Sequence, residues 1–354
     1  MSNKEIKMQI IDIKQHYVPQ FYLKNFGEQL HAFDKKTGRK FSTISKNIAM
    51  GKNFYGGEIS GAPSIEQALS KIESGFSGAI HELIQKENYQ LLSDESKIKI
   101  HNFLALQYIR TPAHRKEIVE MYNYVLNEIA KSKGIKDHSI KLSEQGEIGT
   151  HLKSIVDYPL FGMLIGHMKF VTMINKTPIP FWISDNPVCF DNFVPSAGGN
   201  RGIISTGIQI HLPVTPKIML VALDPEFFEH LESVNEVYNK NAIMFENFLQ
   251  VENSSRWIFS HTRKFHELKN MLEQHPELKN PERDRANIHG GTMGNSDVIG
   301  FMRQNSRSGV LREGGIDTWM PIEQYEEIKE FYDKISKSRV QSVSQDNTLP
   351  DSES

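Results

Sequence analysis

The residues whose types and spacing could do chemistry lie in separate stretches of the chain. His16 sits just before Pro19 and Gln20, inside the aromatic run Gln15-His-Tyr-Val-Pro-Gln-Phe-Tyr-Leu-Lys-Asn-Phe26. A neutral imidazole held by such a segment can be a general base, a proton donor or a metal ligand; a packed, hydrogen-bonded histidine is the competing reading. The turn Ser184-Asp185-Asn186-Pro187 ends the strand-like run Phe181-Trp182-Ile183. A rigid strand end of this kind presents polar groups to a ligand, and Asx capping of the turn explains the same residues.

Two carboxylates and an amide–guanidinium pair complete the set. At about 100° per residue, Glu66 and Glu73 fall on one flank of an amphipathic helix, but roughly 10 Å of rise keeps them from sharing one ion through that helix alone. Boundary glutamates in solvent or paired with lysines would look the same. By the same arithmetic Phe103, Gln107, Arg110 and His114 share one face of the next helix. Burial of Arg110 demands a partner, for which Glu66, Glu73 and Asp185 are the candidates, and a structural salt bridge is the alternative to a phosphate clamp.

The elements that must position these groups can be read from periodicity and turn residues. Leu30–Asp34 and Lys40–Ile44 flank a glycine-bearing turn and predict a hairpin. Apolar residues at 65, 69, 72, 76, 80 and 83 predict a helix opened by Pro63-Ser64. Ser93 caps a longer helix running to about Ala130, with a kink near Arg110 imposed by Pro112. A further helix is expected over about 148–165, then strands at 168–174, 181–183, 207–212 and 218–223. A helix from about 227 to 252 and the strand Arg256–Ser260 close the domain. Gln274–Arg283 reads as a charged linker, 291–335 as one strand and a helix near 321–335, and 336–354 as a disordered tail.

The expected architecture is α+β: a helical N-terminal half packed on a small, mainly antiparallel sheet, as a single large domain (1–261) with a C-terminal extension (262–335). At 354 residues, with 38% hydrophobic and 24% charged residues, the chain can bury a substantial core. A net charge of −2 supplies no global field for nucleic acid or anionic membrane, so nucleic-acid or nucleotide contact needs a local patch. The single cysteine, Cys189, excludes an internal disulfide and multi-cysteine metal cages, and its setting is that of a packed core thiol. No apolar stretch approaches a bilayer span and the N-terminus has no signal-peptide core, so a cytoplasmic protein is expected. The P-loop, dinucleotide fingerprint, serine elbow and His-Glu-x-x-His are all missing, which argues against ATPase, dehydrogenase, α/β-hydrolase and zincin chemistry.

The segments His16–Phe26, Asn53-Phe-Tyr55, Ile65-Glu66 with Glu73, Gln107-Tyr-Ile-Arg-Thr-Pro112 and Ser184-Asp-Asn-Pro-Val188 together resemble the bacterial domain-of-unknown-function family numbered 4238. Asn247 with Arg256-Trp-Ile-Phe-Ser260 is similar to its closing element, and the resemblance runs over about 13–261. It implies one site assembled from distant segments and names no reaction. The mix of residue types favours a phosphodiester- or nucleotide-acting enzyme, a nuclease-like effector in anti-phage defence. Asp185 with Glu66 or Glu73 would hold Mg²⁺ or Mn²⁺, His16 would move a proton, and Gln20, Gln107, Arg110 and Asn186 would bind substrate. A non-catalytic sensor or binding module is the alternative, and 262–335 is a candidate surface for a protein partner or self-association.

Overall fold

The computed structural model describes residues 10–11, 13–59, 64–135, 140–192, 202–283, 286–293 and 296–303, all within one compact unit, Met1–Ser306. The expected helix near 321–335 and the tail lie outside the described residues. The architecture is α+β, with antiparallel and mixed sheets.

The described residues open with β1 (Ile10–Ile11) and β2 (Lys14–His16), followed by the short helix α1 (Gln20–Lys24). The predicted hairpin forms as β3 (Leu30–Asp34) and β4 (Lys40–Thr43), with Gly38 at φ 72 in its turn. Two further strands return to the N-terminus. β5 (Met50–Lys52) pairs antiparallel with β2, and β6 (Glu58–Ile59) with β1.

The helical layer begins with α2 (Ile65–Lys86), capped by Ser64, whose hydroxyl accepts from Gln67 N. It buries Leu69, Phe76, Ala79, Ile80 and Leu83, the stripe that its periodicity announced. The next helix was expected to run kinked through Pro112, and instead the chain breaks there. α3 (Asp94–Ile109) stops at Arg110, Thr111 turns extended at φ −85, ψ 158, and α4 (Pro112–Ser132) starts anew. A residue before proline is pushed out of the helical region, proline is at ease in a first turn, and the Thr111 hydroxyl accepts from His114 N. The helix expected over 148–165 is likewise two, α5 (Glu144–Val156) and α6 (Tyr158–Ile165), separated at Asp157 ahead of Pro159.

A five-stranded sheet follows from β7 (Lys169–Asn175), β9 (Cys189–Asp191), β10 (Gln209–Pro213), β11 (Ile218–Leu223) and β12 (Val234–Val237), in the order β12-β7-β11-β10-β9. All pairs are antiparallel except β12 with β7. β12 occupies residues expected to be helical, so α7 (Lys240–Asn253) is shorter than predicted and starts at the Asn239 cap. A four-stranded sheet, β4-β3-β13-β8, is completed by β8 (Ile183–Ser184) and β13 (Trp257–Ser260).

α7 is buried along nearly its whole length, and its polar residues are matched one by one to the strand-to-strand segment 180–188. Asn247 accepts from Trp182 N at 2.8 Å and donates to Pro180 O at 2.9 Å. Gln250 accepts from Ser184 Oγ at 2.8 Å and donates to Pro187 O at 2.8 Å, while Asn253 donates to Asn186 O at 2.7 Å. Cys189 is buried, as expected. Beyond residue 261, α8 (His266–Gln274) packs on α7 through the buried residues Leu268, Met271 and Leu272, and Leu278 is buried in the stretch expected to be a charged linker. The hairpin β14 (Ala286–Met293) and β15 (Ser296–Arg303) ends the described chain. No helix among the described residues is long and apolar enough to cross a membrane.

Candidate functional site

The sequence-predicted residues separate into those that face a cleft, those that clamp its wall from behind, and those that form a corner between the two sheets. The cleft is a cavity of about 440 Å³ between the β2–α1 segment, which contributes His16, Gln20 and Phe21, and one side of α2. Glu66, Ser70, Glu73, Ser74 and Ser77 line that side. Their spacing of three and four residues follows the helical period, so one face of α2 carries carboxylates and hydroxyls next to the stripe buried in the core.

His16 ends β2, where the pairing with Met50 fixes its backbone. Its Nε2 lies 3.2 Å from Lys46 O, and its Nδ1 lies 3.5 Å from Glu66 Oε1. A carbonyl only accepts, so Nε2 is the donor in this contact and Nδ1 faces Glu66. The other carboxylate oxygen, Glu66 Oε2, is buried and has no protein donor. Glu66 Oε1 also accepts from His16 N at 3.4 Å, so one carboxylate oxygen is turned to His16 and the other is left without a donor.

Arg110 lies behind this pair, 1% exposed. Its Nε donates to Tyr55 Oη at 3.2 Å, one terminal nitrogen donates to His16 O at 2.6 Å, and the other to Glu73 Oε1. Burial works to lower the guanidinium pKa, but Tyr55 and Glu73 outweigh it and hold the group above its ordinary value. Gln107 donates to Tyr17 O at 3.2 Å, so Gln107 in the last turn of α3 and Arg110 at its end clamp the carbonyls of residues 17 and 16. Arg110 and Gln107 therefore position His16. Neither of the two, expected as a phosphate clamp, is among the residues that line the cleft.

Tyr55, which the sequence reading quoted only as part of a motif, and Gln15, to which it gave no role, complete the support. Gln15 accepts from Tyr55 N and donates to Gly56 O, and the Tyr55 hydroxyl stands 3.3 Å from both His16 O and Arg110 O. Behind them His151 accepts from Arg115 Nε at 3.1 Å and reaches Ile109 O through Nε2 at 3.0 Å. Burial first, and Arg115 second, push its pKa down to about 3. His114 is pushed down to about 4 by burial. The serines of α2 could have been found from their register with Glu66 and Glu73, whereas Gln15 carries no local signal and the motif containing Tyr55 does not show what its hydroxyl meets.

Asp185 and Asn186 are not in the cleft. The turn they occupy carries the chain from β8 in one sheet to β9 in the other. The Asp185 carboxylate accepts from the backbone amides of Ser255, Arg256 and Trp257 at 2.7, 2.8 and 2.9 Å, which ties the corner to the start of β13. Asn186 and Asn253 donate to each other's carbonyls. These bonds reach a segment about 70 residues away, whereas within the turn Ser184 Oγ accepts from Asn186 N at 3.2 Å. The Asp185 charge is felt at Tyr17, whose hydroxyl pKa is raised first by burial and then by Asp185.

A metal held by Asp185 with Glu66 or Glu73 does not fit these contacts. One oxygen of Glu66 faces His16, Glu73 binds Arg110, and both oxygens of Asp185 accept from amides. Among the described residues, no group of three or more His, Cys, Asp or Glu side chains converges as a metal site would require.

Fold and site thus define an α+β domain with a histidine–carboxylate cleft braced by a buried arginine. Residues 14–264 match the family described as "Protein of unknown function (DUF4238)", and the chain belongs to it. No curated protein and no solved structure matches the chain.

Proposed function

We propose that the α2 cleft is the active site of a hydrolytic enzyme in which the His16–Glu66 pair moves a proton. The observation that carries this reading is Glu66 Oε2, buried at the cleft without a donor while Oε1 faces His16 Nδ1. A water or substrate hydroxyl donating to Oε2 would be polarised for attack, its proton passing to the Glu66–His16 couple and from there to the leaving oxygen. We assign a nucleotide or another phosphodiester as substrate. The hydroxyls of Ser70 and Ser77 and the amide of Gln20 can donate to phosphate oxygens, and Phe21 offers a ring face to a base. A nuclease-like effector in bacterial anti-phage defence is the setting in which such a substrate would be met.

Purified full-length protein should be incubated with DNA, RNA, tRNA and nucleotides, with and without Mg²⁺ or Mn²⁺. His16→Gln and Glu66→Gln should each slow turnover by about 10²- to 10⁴-fold, the usual worth of a positioned acid–base group. Phage plating on cells expressing wild type or His16→Gln checks the setting. The reading fails if nothing is turned over, or if both variants turn over as fast as wild type.

A second reading, a non-catalytic sensor, is favoured by one observation: the Gln107 amide nitrogen and the Asp185 carboxylate meet protein backbone, and Arg110 meets backbone, Glu73 and Tyr55. Ligand binding that survives in His16→Gln, with no turnover in wild type, would select it.

A further inference from the structure

A second cavity, of about 320 Å³, opens where the β3–β4 turn meets α8 and the short helical turn Pro276–Lys279. It shares no lining residue with the α2 cleft. Four lysines, Lys35, Lys36, Lys269 and Lys279, line it against one carboxylate, Glu273. In a chain whose formal net charge is −2, this is a local reversal of sign.

The framework of the cavity is fixed by hydrogen bonds that leave most of these charges over. Asp34 accepts from Lys36 N at 3.1 Å and from Thr37 Oγ1 at 2.8 Å, which shapes the turn. Its own charge is neutralised by Arg256, which donates to both carboxylate oxygens at 2.9 and 2.6 Å. The Lys35 ammonium is buried and donates to Val251 O at 2.7 Å and Ser254 O at 3.0 Å. Lys36, Lys269 and Lys279 are exposed, and among the described residues none of the three joins an ion pair. Glu277, on the same short turn, lies 3.4 Å from His275 Nδ1.

Three unpaired ammoniums brought to one concavity by a hairpin and a helix repel one another, and a concave wall strengthens the field they share. A multiply charged anion relieves that repulsion, and lysine meets phosphate as a point charge without the planar fork that a carboxylate favours in arginine. We propose that this cavity binds a phosphate group bearing two or more negative charges or belonging to a run of phosphates, supplied by a nucleoside polyphosphate or by the backbone of a single-stranded nucleic acid. Lys36, Lys269 and Lys279 hold the anion. Lys35 adds a fixed positive charge to the wall. The proposal stands independently of the acid–base reading of the α2 cleft.

The test is equilibrium binding by the full chain of three probes: ATP, inorganic pyrophosphate, and a fluorescein-labelled ten-nucleotide single strand. Heparin serves as the control for sulfate-rich polyanions. The triple variant K36Q/K269Q/K279Q should weaken binding at least tenfold with an unchanged melting temperature, because all three side chains are exposed and unpaired. K133Q/K153Q, which removes two exposed lysines that line neither cavity, should leave binding unaltered. If the single strand is the ligand, three phosphate contacts predict that raising salt from 50 to 200 mM weakens wild-type binding by roughly 20-fold, at a slope of about −0.7 per contact, with little salt dependence in the variant. Binding of ATP and pyrophosphate at comparable affinity identifies a terminal phosphate as the ligand, and binding of the strand alone identifies the backbone. The proposal is overturned if no phosphate probe binds, if the triple variant binds as well as wild type, or if heparin matches the phosphate probes and responds equally to the variant.

Discussion

Replacing Asp185 by alanine should cost the protein much of its stability, because the carboxylate is the joint between the two sheets. Three backbone amides, those of Ser255, Arg256 and Trp257, donate to it over 2.7–2.9 Å, and the residue is 2% exposed. Loss of the acceptor leaves three donors without a partner, at about 1–3 kcal/mol each for groups shielded from water. Residues 255–257 are half-buried, so water recovers part of that, and a total of about 4 kcal/mol is expected. In a domain of this size, that amounts to a fall in Tm of about 8–16 °C. Asp185→Asn keeps one acceptor oxygen but sets an amide nitrogen against a backbone N–H, so about half the loss is expected. Urea unfolding followed by circular dichroism gives the difference directly. If Asp185→Ala unfolds within about 1 kcal/mol of wild type, the corner is not held by this carboxylate and the structural account of the turn is wrong.

Other perturbations test the brace and the packing. Arg110→Met should lower stability by about 3–5 kcal/mol, read from the urea midpoint, since it strands Glu73 and releases the carbonyl of His16; Arg110→Lys should recover only part, lacking the fork that reaches three acceptors. Between pH 7.5 and 5.5 the protein should lose about 3 kcal/mol through His114 and His151. Their folded pKa values, about 4 and about 3, lie below the ordinary histidine value, so the unfolded chain binds more protons in that window. This contribution is complete above the unfolded pKa and is lost as pH falls toward the folded values. A urea midpoint that does not move over that range would contradict it. Gly162→Ala should destabilise by about 1 kcal/mol net despite alanine's better helix propensity, because the new methyl would strike the Asn102 side chain and come 3.3 Å from its Cα, forcing α6 away from α3. Calorimetric Tm measurement decides the sign.

The sequence by itself determined the features that depend on near neighbours. The β3–β4 hairpin, the stripe and Ser64 cap of α2, the Ser93 cap of α3, β11 and the α+β class follow from periodicity and turn chemistry acting over a few residues. Pro112 was read as a kink when Thr111 and Pro112 together form a stop and a new start, a local signal weighed wrongly. β12 and the burial of α8 were hidden, because strand pairing with β7 and seating on α7 are rewards that only distant residues provide. His16, Gln20, Glu66 and Glu73 line one cleft, while Gln107, Arg110 and Asp185 lie outside its lining. What only the tertiary structure decided is the direction in which the remaining polar groups point. Arg110 and Gln107 meet backbone carbonyls, and Asp185 meets backbone amides. Residue type cannot reveal this, since a buried charge needs some partner but its chemistry does not say whether that partner is a ligand or the chain itself.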